Sequence, residues 1–212
     1  MGRLIHLAIV AFIAIPCWIG TAVAADSCEM TVGLDTTRAD ASSGSTTLGS
    51  AVGQSFLAPT SSIRSITVWR VWQQDSLLFG LRLFVCKVDS TGVPITSSPI
   101  LNGELLTVPF GDGIHPQAFR FSFDPPLVLP GPGQYCFFIQ VDPCIAWSDI
   151  LADEDNEFAD GELWRTARSL SCSLRPSPTR IAQSDLCFEI EFCDAATPTK
   201  RSSWGEVKAR YR

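Results

Sequence analysis

The sequence predicts an all-β protein, an antiparallel two-sheet β-sandwich of about eight strands. Two stretches and one absence carry that expectation. Phe119-Arg120-Phe121-Ser122-Phe123-Asp124 alternates strictly, so Phe119, Phe121 and Phe123 face a core while Arg120, Ser122 and Asp124 face water. Tyr135 to Val141 repeats the pattern, with Tyr135, Phe137, Ile139 and Val141 on one face. No stretch before residue 200 holds helical periodicity over three turns. No internal repeat is present, which argues against a solenoid or propeller.

The other strands follow in order. Residues 31 to 50 are mostly small and polar and suit a loosely ordered approach or an exposed edge. The texture changes at Gln54. Ile63 to Trp72 reads as a strand, and Leu77 to Val88 as another with Leu81, Leu83 and Val85 on one face. Asp89-Ser90-Thr91-Gly92 turns the chain. Leu101 to Phe110 ends at the Gly111-Asp112-Gly113 turn, and Pro125-Pro126 is expected to end the Phe119 strand. Leu127-Val128-Leu129 is then a short separate piece before Pro130-Gly131-Pro132-Gly133. Gly161 to Thr166 is a further candidate. Leu186 to Phe192 is the last strand, with Leu186, Phe188, Ile190 and Phe192 inward and Glu189 and Glu191 outward.

The first 24 residues read as a secretory signal peptide. Arg3 precedes an apolar run from Leu4 to Ile15, Pro16 breaks it, and Ala22-Val23-Ala24 offers a small-residue cleavage site. The run is short for a membrane span, which needs roughly 20 apolar residues. Ile15-Pro16 before Cys17 does not resemble a lipidation box. The expected organisation is a signal peptide over 1–24, a polar segment over 25–50, a sandwich over 51–194, and a linker with a tail over 195–212. The expected location is secreted, extracellular or at the cell surface, with no transmembrane segment after cleavage. Loss of Arg3 takes the net charge from −6 to −7, and an acidic body argues against nucleic acid as a partner.

Beyond the leader lie Cys28, Cys86, Cys136, Cys144, Cys172, Cys187 and Cys193. In an exported chain these read as a disulfide framework, and no C-x-x-C pair supports a metal cluster. An odd count leaves one thiol buried, free or paired between chains. Cys187 and Cys193 lie six apart on one strand, about 20 Å if extended. They cannot bond each other there, since a disulfide holds its Cα atoms within about 7 Å. Cys28 with one of these two is expected to tie the chain ends together.

Several stretches resemble a jelly-roll-like β-sandwich module of exported bacterial surface proteins, similar in architecture to carbohydrate-binding modules. They are Val52-Gly53-Gln54-Ser55-Phe56-Leu57-Ala58-Pro59, Ile63 to Trp69, Leu81 to Asp89 with Gly92-Val93-Pro94, and Phe121 to Leu129 with Gly133-Gln134-Tyr135. The resemblance covers roughly residues 50 to 193 and implies no catalytic residues. The extra cysteines depart from it. At the other end, Trp204-Gly205-Glu206-Val207-Lys208 resembles Trp-Gly-x-apolar-Lys tails of exported bacterial proteins, which implies a sorting or anchoring partner. Residues 200–212 carry five basic residues and one acid, a net +4 on a body of −11. Ser203 and Glu206 suit a capping box, placing Trp204, Val207 and Tyr211 on one helical face, with a frayed end as the alternative.

For chemistry, His115 is the only histidine past the leader, and no nucleophile elbow, zinc-protease helix or phosphate loop is present. No enzyme activity is expected, and no cofactor is required. Asp153, Glu154, Asp155, Glu157, Asp160 and Glu162 form an acidic stretch. Asp153, Asp155, Glu157 and Asp160 are the oxygens a structural calcium would use, as modules like the one it resembles often hold one. Phe158 stands where an EF-hand loop needs glycine, which favours a solvated acidic loop instead. Trp69, Trp72, Trp147 and Trp164 are candidates for stacking on a sugar, with Trp147 and Trp164 flanking the acidic stretch in the least regular part of the chain. The leading functional expectation is non-catalytic binding of a glycan or surface polymer. A structural or adhesive surface component attached through its tail comes second. A small glycan-active enzyme using residues 153–162 comes third, and it needs two carboxyls about 5–10 Å apart in a groove.

Overall fold

The computed structural model describes residues 28–193, apart from 40, 48, 72–78, 109–111, 145, 156–157 and 169–171. Two antiparallel sheets pack face to face. The first is built from β1 (Met30–Leu34), β2 (Ala41–Thr47), β4 (Ser62–Arg70), β7 (Gln117–Val128), β9 (Trp147–Asp153), β12 (Asp185–Leu186) and β13 (Phe188–Phe192). The second runs β11 (Thr179–Ile181), β10 (Leu163–Arg165), β3 (Ala51–Ala58), β8 (Gly133–Asp142), β5 (Phe79–Lys87), β6 (Leu101–Val108). In the first sheet β1, β13, β4 and β7 lie side by side, and β4 meets β9 at its end through Arg70 opposite Ile150. The β-sandwich class is as predicted. The strand number is higher, because short strands such as β11 and β12 carry too few residues to show a period.

The alternating segments place their side chains as the pattern requires. Phe119 and Phe121 are buried and Phe123 packs against the core, while Arg120, Ser122 and Asp124 are exposed. Tyr135, Phe137, Ile139 and Val141 of β8 meet Leu81, Leu83 and Val85 of β5 on the inner face of the second sheet. Phe188, Ile190 and Phe192 point inward from the first. Ring contacts cross the interface: Phe56 lies 6.2 Å from Phe192, and Phe137 lies 5.3 Å from Phe188. Burying each of these phenylalanines contributes about 1.5–3 kcal/mol.

Pro125-Pro126 does not end its strand. β7 continues to Val128, with Leu127 opposite Ile63 and Val128 opposite Ser62. The register shift sets Phe123 to Pro126 against Arg64 alone, so the prolines sit in a bulge. β7 pairs only with β4, and an edge strand tolerates proline because its outer amide needs no ladder partner. Two further elements lie where the sequence shows no regular pattern. β1 and β2 fall within the polar 25–50 segment, so the first sheet begins at Met30. β9, which carries Trp147, is an inner strand paired with β2 and β12 in what reads as irregular chain.

Two disulfides staple the sandwich. Cys28–Cys193 joins residues 165 apart in sequence, next to the paired strands β1 and β13. Cys193 is thus the partner that Cys28 was expected to find among the last two cysteines. Cys144–Cys172 ties the end of β8 to the segment after β10. Such bonds persist in an oxidising, non-cytoplasmic environment. Among the described residues no helix is long and apolar enough to cross a membrane. A bridge that closes so long a loop restricts the unfolded chain strongly. Cys28→Ala is expected to lower unfolding free energy by about 2–5 kcal/mol. Urea titration under non-reducing conditions reads this as a fall in midpoint.

Candidate functional site

The outer face of the first sheet is polar and ordered in rows. Gly33, Glu189, Thr67 and Arg120 stand opposite one another across β1, β13, β4 and β7, and Thr31, Glu191, Ser65 and Ser122 form the next row. Directly opposed residues share a face. Glu191 accepts from Ser65 Oγ at 3.0 Å and is paired with Arg120. Burial works to raise its pKa. The hydrogen bonds from Arg120 and Ser65, with the charges of Arg120 and Arg64, outweigh that and hold the carboxyl below its ordinary value.

Trp69 closes the pattern at the end of β4, opposite Ala118, and is only partly buried. Beside it lies a groove of about 310 Å³, lined by Thr31, Gly33, Asp35, Trp69 and Glu189 among others. Gly33 explains the depression. It carries no side chain where Glu189, Thr67 and Arg120 carry one in the same row. It also cannot be enlarged, because a Cβ there would lie 2.0 Å from the Phe188 carbonyl oxygen. Asp35 forms the rim. Its carboxylate accepts from the Thr37 N–H at 3.0 Å and caps a 3-10 turn over Thr36–Arg38. Its carbonyl accepts from the buried Cys187 thiol at 3.8 Å. The groove therefore brings one indole side chain together with carboxylates and a hydroxyl.

The other tryptophans separate. Trp164 is 6% exposed and packs with Phe84, Phe138, Cys86 and Cys136 on the outer side of the second sheet. It presents no surface for a ligand. Trp147 stands on β9 opposite Thr47. Trp72 lies outside the described residues, as do the tail residues Trp204, Lys208 and Tyr211.

Among the described residues the acidic stretch divides between buried and exposed positions. Asp153 is buried at the end of β9, facing Asp185 of β12, while Asp155 and Asp160 are exposed and Glu157 lies outside the described residues. Asp153 accepts from the Asp155 N–H at 2.9 Å. Glu162 is ion-paired with Arg180 at 2.6 Å. Phe158 packs edge-on against Phe188, with centroids 5.0 Å apart, so an aromatic core contact occupies the position a calcium loop gives to glycine. Among the described residues no group of three or more His, Cys, Asp or Glu is placed to hold a metal ion. His115 is exposed in the loop before β7, with Nδ1 2.7 Å from Asp112. The His115 side chain and the backbone N–H groups of His115 and Ile114 hold the Asp112 carboxyl well below its usual range. The pair stabilises a turn.

Thr31, Gly33, Asp35 and Glu189 are groove residues that the sequence does not single out. Their association depends on β1 pairing with β13 across most of the chain, for which no local pattern exists. No protein-family model matches the chain, and no curated protein is significantly similar to it. The fold and site define a disulfide-stapled antiparallel β-sandwich with a tryptophan-walled groove on one outer face.

Asp185 is a buried carboxyl that ties the two sheets together. It accepts from Gln54 Nε2 at 2.7 Å and from the Phe158 N–H at 3.0 Å, and Gln54 in turn accepts from the Leu186 N–H at 3.0 Å. Burial raises its pKa above 3.8, aided by the charges of Glu162 and Asp153 and opposed by the two hydrogen bonds it accepts. The folded state therefore holds this proton more tightly than the unfolded chain. Its stabilising contribution is full below the unfolded value and is lost as pH rises through the raised folded value. The stability difference between wild type and Asp185→Asn should fall as pH is raised above 3.8. Urea unfolding of both proteins across that range checks this, and a difference constant with pH contradicts it.

Proposed function

We propose that the protein is a secreted, non-catalytic binding module that holds a glycan or surface polymer in the groove beside Trp69. The observation that carries this reading is the partly exposed indole set among Thr31, Asp35 and Glu189. A pyranose ring has an apolar C–H face and a rim of hydroxyls. An indole offers the apolar partner and an amphipathic contact surface. The carboxylates and the threonine hydroxyl offer hydrogen bonds to the rim. At about 310 Å³ the groove is at the small end of ligand sites, about 300–1,000 Å³. It suits one sugar residue of a polymer more than a long bound segment. The resemblance to carbohydrate-binding-like modules points the same way, and the disulfides agree with an exported protein.

The reading is tested by calorimetry and pull-down with a panel of soluble glucans, chitin oligosaccharides and purified cell-wall polysaccharide. Binding to at least one polymer is expected. Trp69→Ala should weaken that binding by about 10–100-fold, equivalent to about 1.4–2.8 kcal/mol. Its urea midpoint should stay close to that of the wild type. No binding to any polymer, or equal binding by the variant, rejects the assignment.

A further inference from the structure

Beneath the outer side of the second sheet lies a pair of cysteines that neither disulfide uses. Cys86 of β5 and Cys136 of β8 are direct cross-strand partners, and each is fully buried. Both belong to one cluster with Ala51, Phe84, Phe138 and Trp164, so both side chains leave the sheet on the same side. Opposed residues of antiparallel strands have Cα atoms about 4.5–5.5 Å apart. A disulfide requires roughly 4.4–6.8 Å. Among the described residues no third Cys, His, Asp or Glu joins them as a metal site would need.

We propose that Cys86 and Cys136 form a third disulfide, a cross-strand staple between the central strands β5 and β8. Formation requires an external disulfide oxidant, either a low-molecular-weight disulfide or a protein disulfide of the export compartment. One protein thiol loses its proton and attacks that oxidant. A mixed disulfide forms and one external thiol leaves. The second protein thiolate then attacks the protein sulfur of the mixed disulfide and releases the other external thiol. Two protein thiols are oxidised, the oxidant is reduced to two thiols, and the two protons pass to them.

The surroundings set when this happens. The cluster is covered by Val88, Val93 and Leu174. Thr96 Oγ1 donates to the Arg175 carbonyl at 2.9 Å, joining the two covering segments. The Cys144–Cys172 bridge fixes the chain two residues before Leu174. Burial also pushes the Cys86 thiol up to about 12, so the folded, covered protein holds almost no reactive thiolate at neutral pH. The staple therefore forms before the cover closes, and Cys144–Cys172 then seals it in. Three bridges account for six of the seven cysteines past the leader, with Cys187 held against Asp35.

The test refolds the full chain in a mixture of oxidised and reduced glutathione. The product is denatured, alkylated and digested without reduction. Cleavage before Asp142 separates Cys136 from Cys144, and trypsin releases Cys86 in Leu83–Lys87. The expected result is a Cys86 peptide linked to a Cys136 peptide, with neither alkylated. In Cys136→Ala, Cys86 should be alkylated or carry glutathione, linked to no other cysteine, while Cys28–Cys193 and Cys144–Cys172 stay linked. Alkylation of both Cys86 and Cys136 in the wild type, or a bridge from either to another cysteine, overturns the proposal. A bridge from Cys86 to another cysteine of the chain in Cys136→Ala overturns it as well.

Discussion

The structure depends on where the strand Phe188–Phe192 is seated. It lies between β1 and β4, so the last described strand of the chain closes a sheet with the first. Its two faces do different work. Phe188, Ile190 and Phe192 reach across to Phe56 and Phe137 and make the inter-sheet core. Glu189 and Glu191 stand on the outer face, one at the groove and one paired with Arg120 and Ser65. A slip of one residue would exchange these sets, burying two carboxylates and exposing three apolar side chains. The Cys28–Cys193 bridge pins the end of this strand and opposes such a slip.

Polar ties between the sheets add specificity that apolar packing lacks. Gln54 reaches from β3 to Asp185 and to the Leu186 amide of β12. That network fixes the short strand β12 before the chain crosses at Cys187 into β13. The Cys187 N–H donates to the Leu151 carbonyl at 2.9 Å, so the crossover itself is tied to β9. Buried polar groups that are satisfied in this way favour one register over near alternatives.

Much of this was legible in the sequence wherever a strand has one wet face. Phe119 to Phe123 and Phe188 to Phe192 alternate because one side meets water, and their orientation follows from the spacing. β8 is different. Cys136, Phe138 and Gln140 are as buried as Tyr135 and Phe137, because a covering layer packs on its outer side. A strand buried on both faces shows an apolar run, and only one of its cores can be inferred from alternation. The residues of β1 and β2 suit an exposed edge as readily as a loose approach, since their pairing is set by distant partners. The groove was illegible for the same reason. Trp69 was a candidate from its type, but Thr31, Gly33, Asp35 and Glu189 join it only through the β1–β13 register. Trp164, which flanks the acidic stretch in sequence, faces the covered cluster instead.

The most direct test of the account is native-state hydrogen exchange on the oxidised protein, resolved at the amides of β1 and β13. If β13 is inserted between β1 and β4, its ladder amides exchange only through global unfolding, with free energies near that of the whole domain. Amides of β1 on the side facing β13 should be slowed as well. Fast exchange throughout Phe188–Phe192, with protection retained in β8 and β5, would contradict the seating on which both the core and the groove rest.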